Sequence, residues 1–123
     1  MQVSKIKLNK NIAHQTYAVF YQTMADLHSS KETEAFLKDF LTEIELITLA
    51  KRLMIALYLE KGYSYALIKK NLKVSSATIA NVDKMMKKGS SGFALALKKI
   101  DADEWAQNLT AKISGFVSKI IGK

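Results

Sequence analysis

The stretch SYALIKKNLKVSSATIANVDKMM, residues 64–86, decides the fold of this chain. It predicts a short helix over 65–72, a tight turn over 73–75 and a second helix that ends near Met86. A serine precedes each helix and can cap it, Ser64 for the first helix and Ser75 or Ser76 for the second. The apolar residues that recur at helical spacing are Leu67, Ile68, Leu72, Ile79, Val82 and Met86. Two short helices joined by such a turn predict a helix-turn-helix.

The second helix of this pair has an outer face without bulky side chains. It begins Ser-Ala-Thr-Ile-Ala-Asn, residues 76–81, and its outward positions are small or carry a hydroxyl. Such a helix can enter the major groove of DNA without a steric block. The motif therefore predicts an element that can contact base edges.

The positive charge of the chain is concentrated around the same motif. The 123 residues carry 19 Lys and Arg against 11 Asp and Glu, a net charge of +8. Residues 62–100 hold eight lysines and a single acid, Asp83, so this third of the chain has a net charge of +7. Grouped charge is typical of a surface that binds a polyanion. The alternative is a lysine-rich composition that places such runs by chance, because 18 of the 19 basic residues are Lys.

The pattern before the motif is also helical. Helices are predicted over residues 11–28, from a Ser29 cap to Phe40, and from a Thr42–Glu45 capping box to Gly62. Residues 44–59 are apolar at 12 of 16 positions, so the third helix must be buried on nearly every side. A chain this small cannot cover every side of that helix, whereas an interlocked homodimer can.

Composition and spacing exclude several classes of function. The chain has no cysteine, which excludes disulfides, thiolate metal sites and a cysteine nucleophile. His14 and His28 have no clustered acid or nucleophile beside them, so we expect surface histidines, no enzyme, no metal and no cofactor. No export signal or membrane span is recognisable, so we expect a cytoplasmic protein without a membrane partner.

Several short markers occur in a specific order along residues 36–97. They are Leu-Thr-x-x-Glu at 41–45, Ala-x-Arg-Leu at 50–53, Gly-x-x-Tyr at 62–65, Ser-x-Ala-Thr-Ile at 75–79, and Gly89 with Ala-Leu-Ala-Leu at 94–97. In this order they resemble the Trp repressor superfamily, and are most similar to its YerC/YecD-like branch. The resemblance implies an all-α, Trp repressor-like intertwined homodimer. It also implies a sequence-specific DNA-binding transcriptional regulator, with repression as the expected mode.

The resemblance further implies which residues contact double-stranded DNA. Its base-facing positions are matched by Ser76, Ala77 and Ala80, a phosphate contact by Thr78, and the backbone-contacting end of the preceding helix by Lys69 and Lys70. Lys73, Ser75, Asn81 and Lys84 complete the expected DNA-binding set. The alternative for Thr78 is a hydroxyl that is bonded within its own helix.

A candidate effector site follows from the same resemblance. In the Trp repressor two arginines clasp a bound tryptophan, and Arg52, the one arginine of this chain, matches one of them. The second falls on Asn81, which has neither the charge nor the planar surface of a guanidinium. Leu41 and Thr42 match the segment that receives the amino group from the other subunit. We therefore expect no tryptophan binding and leave any other effector unnamed; the alternative for Arg52 is an ion pair with Glu45 or Asp39, or a cap on a helix end.

Residues 1–100 are predicted to form a Trp repressor-like domain, and residues 101–123 are predicted to form a C-terminal helical extension of it. A break at 87–92 precedes a helix with Phe93, and Asp101-x-x-Glu104 is typical of a cap that opens a last helix over the 101–123 extension. The apolar stripe of that helix consists of Trp105, Leu109, Ile113, Phe116, Val117, Ile120 and Ile121. The stripe favours packing onto the core. The alternative is a protein-interaction or membrane-surface adaptor that works through this amphipathic helix.

Overall fold

The computed structural model describes residues 7–89 and 91–102, together with residues 108, 111 and 112. Its six helices are α1 (Lys10–Asp26), α2 (Ser30–Phe40), α3 (Glu43–Glu60), α4 (Tyr65–Leu72), α5 (Ser76–Met86) and α6 (Gly92–Ala102). No residue of these ranges lies in a strand, so the predicted all-α fold class is confirmed. Most of the predicted last helix lies outside the described residues. No helix within them is long and apolar enough to cross a bilayer.

The chain divides into two compact units between Thr48 and Leu49, within α3. The first unit contains α1, α2 and the start of α3. The predicted cap of α2 is confirmed, because the Ser29 hydroxyl accepts a hydrogen bond of 3.1 Å from the Glu32 backbone N–H. In the same turn the Glu32 carboxylate lies 3.5 Å from the backbone nitrogen of His28. Both ends of this capping turn are therefore satisfied by local side chains.

Aromatic rings join α1 and α2 in the first unit. Phe36 and Phe40 stack along α2 with ring centroids 4.9 Å apart, and Phe20 of α1 lies 6.0 Å from Phe40. Tyr17 and Tyr21 stack along α1 at 6.1 Å. No residue of α1 or α2 is buried, however. The two helices thus pair through a few rings while their apolar side chains remain in contact with water.

The start of α3 forms the predicted reciprocal capping box. The Thr42 backbone N–H donates to the Glu45 carboxylate at 2.9 Å, and the Glu45 backbone N–H donates to the Thr42 hydroxyl at 3.1 Å. The bond from the Thr42 backbone above all, and the Thr42 side chain beside it, hold the pKa of the Glu45 carboxyl below its ordinary value. The charged carboxylate also lies in the first helical turn, where the helix dipole favours negative charge.

The second unit is built on the second half of α3. This helix ends as predicted at Gly62, whose φ of 84° lies in the left-handed region. The Tyr63 backbone N–H donates to the Tyr58 carbonyl at 3.1 Å and closes the end of the helix. The core lies where α3 meets the three later helices. Its buried residues are Ile55, Ala56, Leu57 and Tyr58 of α3, Ile68 of α4, Ile79 and Val82 of α5, and Leu97 of α6.

An ion pair links α6 to the end of α3. The Lys61 ammonium donates to the Asp101 carboxylate at 2.7 Å, and this bond raises the pKa of Lys61. The predicted capping turn from Asp101 to Glu104 extends beyond the described residues, and Asp101 itself lies within α6. Its carboxylate bonds an ammonium 40 residues away in the chain, a partner that the local cap pattern does not reveal.

The apolar surface of α3 is covered only in part. Four consecutive residues near its end are buried, but Ile44 is 77% exposed, Ile47 50%, Leu49 45% and Leu53 43%. The prediction that α3 is buried on nearly every side is therefore not met within one chain. These four residues leave part of the apolar side-chain surface of α3 exposed to water.

Candidate nucleic-acid interface

The predicted helix-turn-helix is formed by α4, a three-residue turn and α5. The Ser64 hydroxyl accepts from the Leu67 backbone N–H at 3.2 Å and caps α4. Ser75, rather than Ser76, caps α5, because its hydroxyl accepts from the Thr78 backbone N–H at 3.1 Å. Each serine satisfies a donor that the helix itself leaves without a partner. Both helix starts are therefore encoded by residues within three positions of the cap.

The buried face of the motif sets which side chains point outward. Ile68, Ile79 and Val82 lie in the core, with Leu72 and Val74 packed against it. All ten residues of the expected DNA-binding set are exposed: Lys69, Lys70, Lys73, Ser75, Ser76, Ala77, Thr78, Ala80, Asn81 and Lys84. The structure thus brings them together on the two helices and their turn. Their contact with DNA remains a prediction.

The turn contains a lysine in a backbone conformation that glycine prefers. Lys73 has φ 54° and ψ 53°, and it is the non-glycine residue with positive φ in the described part of the chain. Its backbone N–H donates to the Lys69 carbonyl at 3.0 Å, which closes the end of α4. A side chain in this region costs on the order of 1 kcal/mol relative to glycine. The conformation is that of a left-handed cap at the end of α4.

The hydroxyls at the start of α5 bond to each other. The Ser75 and Thr78 side-chain oxygens lie 3.0 Å apart, and either can donate. The predicted alternative, that the Thr78 hydroxyl bonds locally, therefore applies in part, since its partner is the capping residue. Two coupled exposed hydroxyls retain further lone pairs and one free proton. They can still contact a phosphate oxygen.

Sequence reasoning missed two contacts that hold the motif in place. The Asn71 amide of α4 donates to the buried Tyr58 hydroxyl of α3 at 3.2 Å. The Tyr65 hydroxyl, at the start of α4, lies 3.5 Å from the Asp83 carboxylate of α5. Each joins residues that are 13 to 18 positions apart in the chain. Only the packing of the helices brings them together.

The candidate effector residues do not reproduce a two-arginine clasp. Arg52 is half-buried on α3, and neither an ion pair nor a hydrogen bond engages its guanidinium within the described residues. Neither the predicted ion pair with Glu45 or Asp39 nor the predicted helix cap is therefore present among the described residues. Asn81 is exposed on α5 and neutral. Leu41 and Thr42 lie before α3, where their backbone N–H groups are already bonded to Leu37 and Glu45.

The fold and the exposed motif define a class of protein, the helix-turn-helix regulators. Residues 15–101 match the sequence model of the Trp repressor protein family, and the chain belongs to this family. The YerC protein of Bacillus subtilis, which is uncharacterized, is 29% identical over 84 residues, 68% of this chain and 81% of that protein. The crystal structure of a "putative Trp repressor" from Staphylococcus aureus superimposes with a TM-score of 0.68. It is 25% identical and is matched over 72% of this chain and 89% of that one.

The family assignment confirms the resemblance seen in the sequence, including its YerC-like branch. Members of this family are transcription regulators with a DNA-binding helix-turn-helix, and the family is not one of enzymes. The exposed face of α4 and α5 is therefore the candidate DNA-binding surface of this chain.

We expect Lys73→Gly to stabilise the protein by up to about 1 kcal/mol, because glycine adopts the left-handed region without a clash. Lys70→Gly is the matched control, since it removes a lysine from the same surface but places glycine inside α4. That control should lose about 1 kcal/mol. Urea denaturation followed by circular dichroism measures both. Equal losses in the two variants would contradict strain at Lys73.

Proposed function

We propose that this chain is a homodimeric, sequence-specific DNA-binding transcription regulator, with repression as its mode and the cytoplasm as its location. The helix-turn-helix at residues 64–86 is the part that binds DNA. One observation carries the proposal: four of the eight lysines in residues 62–100 lie exposed on α4, on α5 and in the turn between them. Lysines that are grouped on a helical element able to enter a DNA groove favour DNA over other polyanions as the partner.

The exposed residues divide into two roles. Lys69, Lys70, Lys73 and Lys84 supply ammonium groups that neutralise phosphates and release counterions from any sequence. The phosphates of the DNA backbone can also be hydrogen-bonded by the hydroxyls of Ser75 and Thr78 and by the N-terminus of α5. Ser76, Ala77, Ala80 and Asn81 occupy the outer face of α5, where small side chains allow close approach to base edges and thymine methyl groups. We therefore assign recognition of the base sequence to α5, and orientation of the protein on the DNA backbone to the lysines.

The proposed homodimer rests on apolar surface that one chain leaves uncovered. α1 and α2 contain no buried residue, and four large apolar residues of α3 are exposed: Ile44, Ile47, Leu49 and Leu53. Leu53 also lines an open apolar groove of about 360 Å³ with Gly92, Phe93 and Ala96. Apolar side chains left exposed in this number favour an interface.

A second copy of the chain is the partner that fits this surface. Residues 41–61 carry three positive and three negative charges, so two copies of α3 approach each other without net repulsion. A two-fold assembly also places two helix-turn-helix motifs on one particle. Two motifs are what a half-site repeat in DNA requires.

We expect binding to duplex DNA to weaken steeply with salt, and Lys69→Glu with Lys70→Glu to weaken binding to all sequences. Each lost phosphate contact should reduce the slope of log affinity against log salt by about 0.9. The matched control is Lys98→Glu with Lys99→Glu, which changes the net charge equally on α6, outside the motif. Fluorescence anisotropy with labelled duplex measures both. Equal losses from the two pairs would contradict the placement of the DNA-binding surface.

We expect Leu49→Glu with Leu53→Glu to convert the dimer into monomers, because two carboxylates would be buried in the interface. In a single chain both residues are partly exposed, so the helical fold of the monomer should persist. Gln15→Glu with Gln22→Glu is the control, since it adds the same charge to polar positions of α1. Analytical ultracentrifugation gives the mass of each variant. A monomeric parent, or a parent dimer that the leucine variants leave intact, would exclude this interface.

DNA binding is proposed to be independent of tryptophan. Asn81 provides one neutral amide where a clasp needs a second guanidinium, and the half-buried Arg52 alone cannot hold the amino acid from both sides. Isothermal titration of the dimer with tryptophan should therefore give no saturable heat. The salt-dependent affinity for DNA should also be the same with and without the amino acid. Saturable binding, or a tryptophan-dependent gain in DNA affinity, would overturn this assignment.

A further inference from the structure

One carboxylate lies within the lysine-rich block, that of Asp83 in the third turn of α5. Its side chain is 29% exposed, and one oxygen accepts a bond of 3.1 Å from the Lys87 ammonium. The Tyr65 hydroxyl from the first residue of α4 lies 3.5 Å from the same oxygen. Asp83 therefore connects the start of α4 with the end of α5 and neutralises one of the eight lysines of residues 62–100.

We propose that Asp83 is a specificity-determining residue, which limits binding to non-specific DNA by holding Lys87 in an ion pair. The proposal rests on the DNA-binding function proposed above. The Lys87 side chain is 75% exposed at the C-terminal end of α5. Without the ion pair its ammonium could neutralise a phosphate of any sequence, because phosphate contacts carry no sequence information.

The position of the ion pair separates it from the base-facing residues. Ser76, Ala77 and Ala80 occupy the first half of α5, whereas Asp83 and Lys87 lie at its other end. Neutralising Lys87 therefore reduces the contribution of phosphate contacts to DNA affinity and leaves the groups that face base edges unchanged. Because a regulator must find its site among a large excess of competing DNA, a lower affinity for non-specific DNA increases its selectivity for that site.

The test measures affinity for random-sequence duplex DNA as a function of salt for the full chain. Asp83→Asn removes the charge and keeps an oxygen that can accept from the Tyr65 hydroxyl. It should bind several-fold more tightly at low salt, with a slope that is steeper by about 0.9, one counterion more. Lys87→Gln in the parent should change affinity little. In the Asp83→Asn background it should return affinity and slope to those of the parent.

The Glu34–Lys38 pair supplies a matched control. It is an exposed ion pair of the same spacing on α2, with 2.6 Å between its charged atoms. Glu34→Gln frees a lysine in the same way and adds the same net charge, but outside the helix-turn-helix. It should leave affinity and slope unchanged.

Each other outcome has a distinct meaning. Unchanged or weaker binding by Asp83→Asn, equal gains from Asp83→Asn and Glu34→Gln, or an equal effect of Lys87→Gln in both backgrounds overturns the assignment of Asp83. A parent that shows no salt-dependent binding to duplex DNA overturns the proposed function itself, and this inference with it. Thermal denaturation of each variant checks that changes in binding do not come from unfolding.

Discussion

The orientation of the helix-turn-helix depends on the packing of Ile68 and Ile79 against the second half of α3. Both side chains are fully excluded from water, as is Ile55 of α3. Burial of an isoleucine contributes about 1.5–3 kcal/mol. α4 has eight residues and α5 has eleven, and helices this short are not stable alone in water. The core contact therefore decides both that the two helices form and which faces they turn outward.

The outward face combines features that stability alone does not favour. Lys73 holds a left-handed conformation at the turn, and lysines crowd a short stretch where they repel one another. One acid, Asp83, lies among them and pairs with Lys87. Strain and like charge that persist at one surface are typical of a binding site, because the partner supplies the compensating interactions. A polyanion would relieve the repulsion of the lysines.

The local features of the fold were predictable from the sequence, and the distant ones were not. The caps at Ser29, Thr42 and Ser64, like the left-handed Gly62, involve bonds within a few residues and were predicted correctly. The ion pair of Asp101 with Lys61 was missed, because the two residues are 40 positions apart in the chain. The Tyr65–Asp83 and Tyr58–Asn71 contacts were missed for the same reason. The exposed lysines and hydroxyls of the helix-turn-helix were predictable because charge and helical spacing are both read along the chain.

The sequence by itself determined the helices, their caps and the concentration of charge, because each depends on neighbouring residues and their intrinsic preferences. It also carried the order of markers by which the family is identified. Only the tertiary structure decided which side of each helix is buried, and that the apolar surface of α3 remains partly open within one chain. It also decided that Asp83 of α5 meets Tyr65 of α4. These outcomes follow from the packing of separate helices, since contacts between distant residues depend on the arrangement of the whole core.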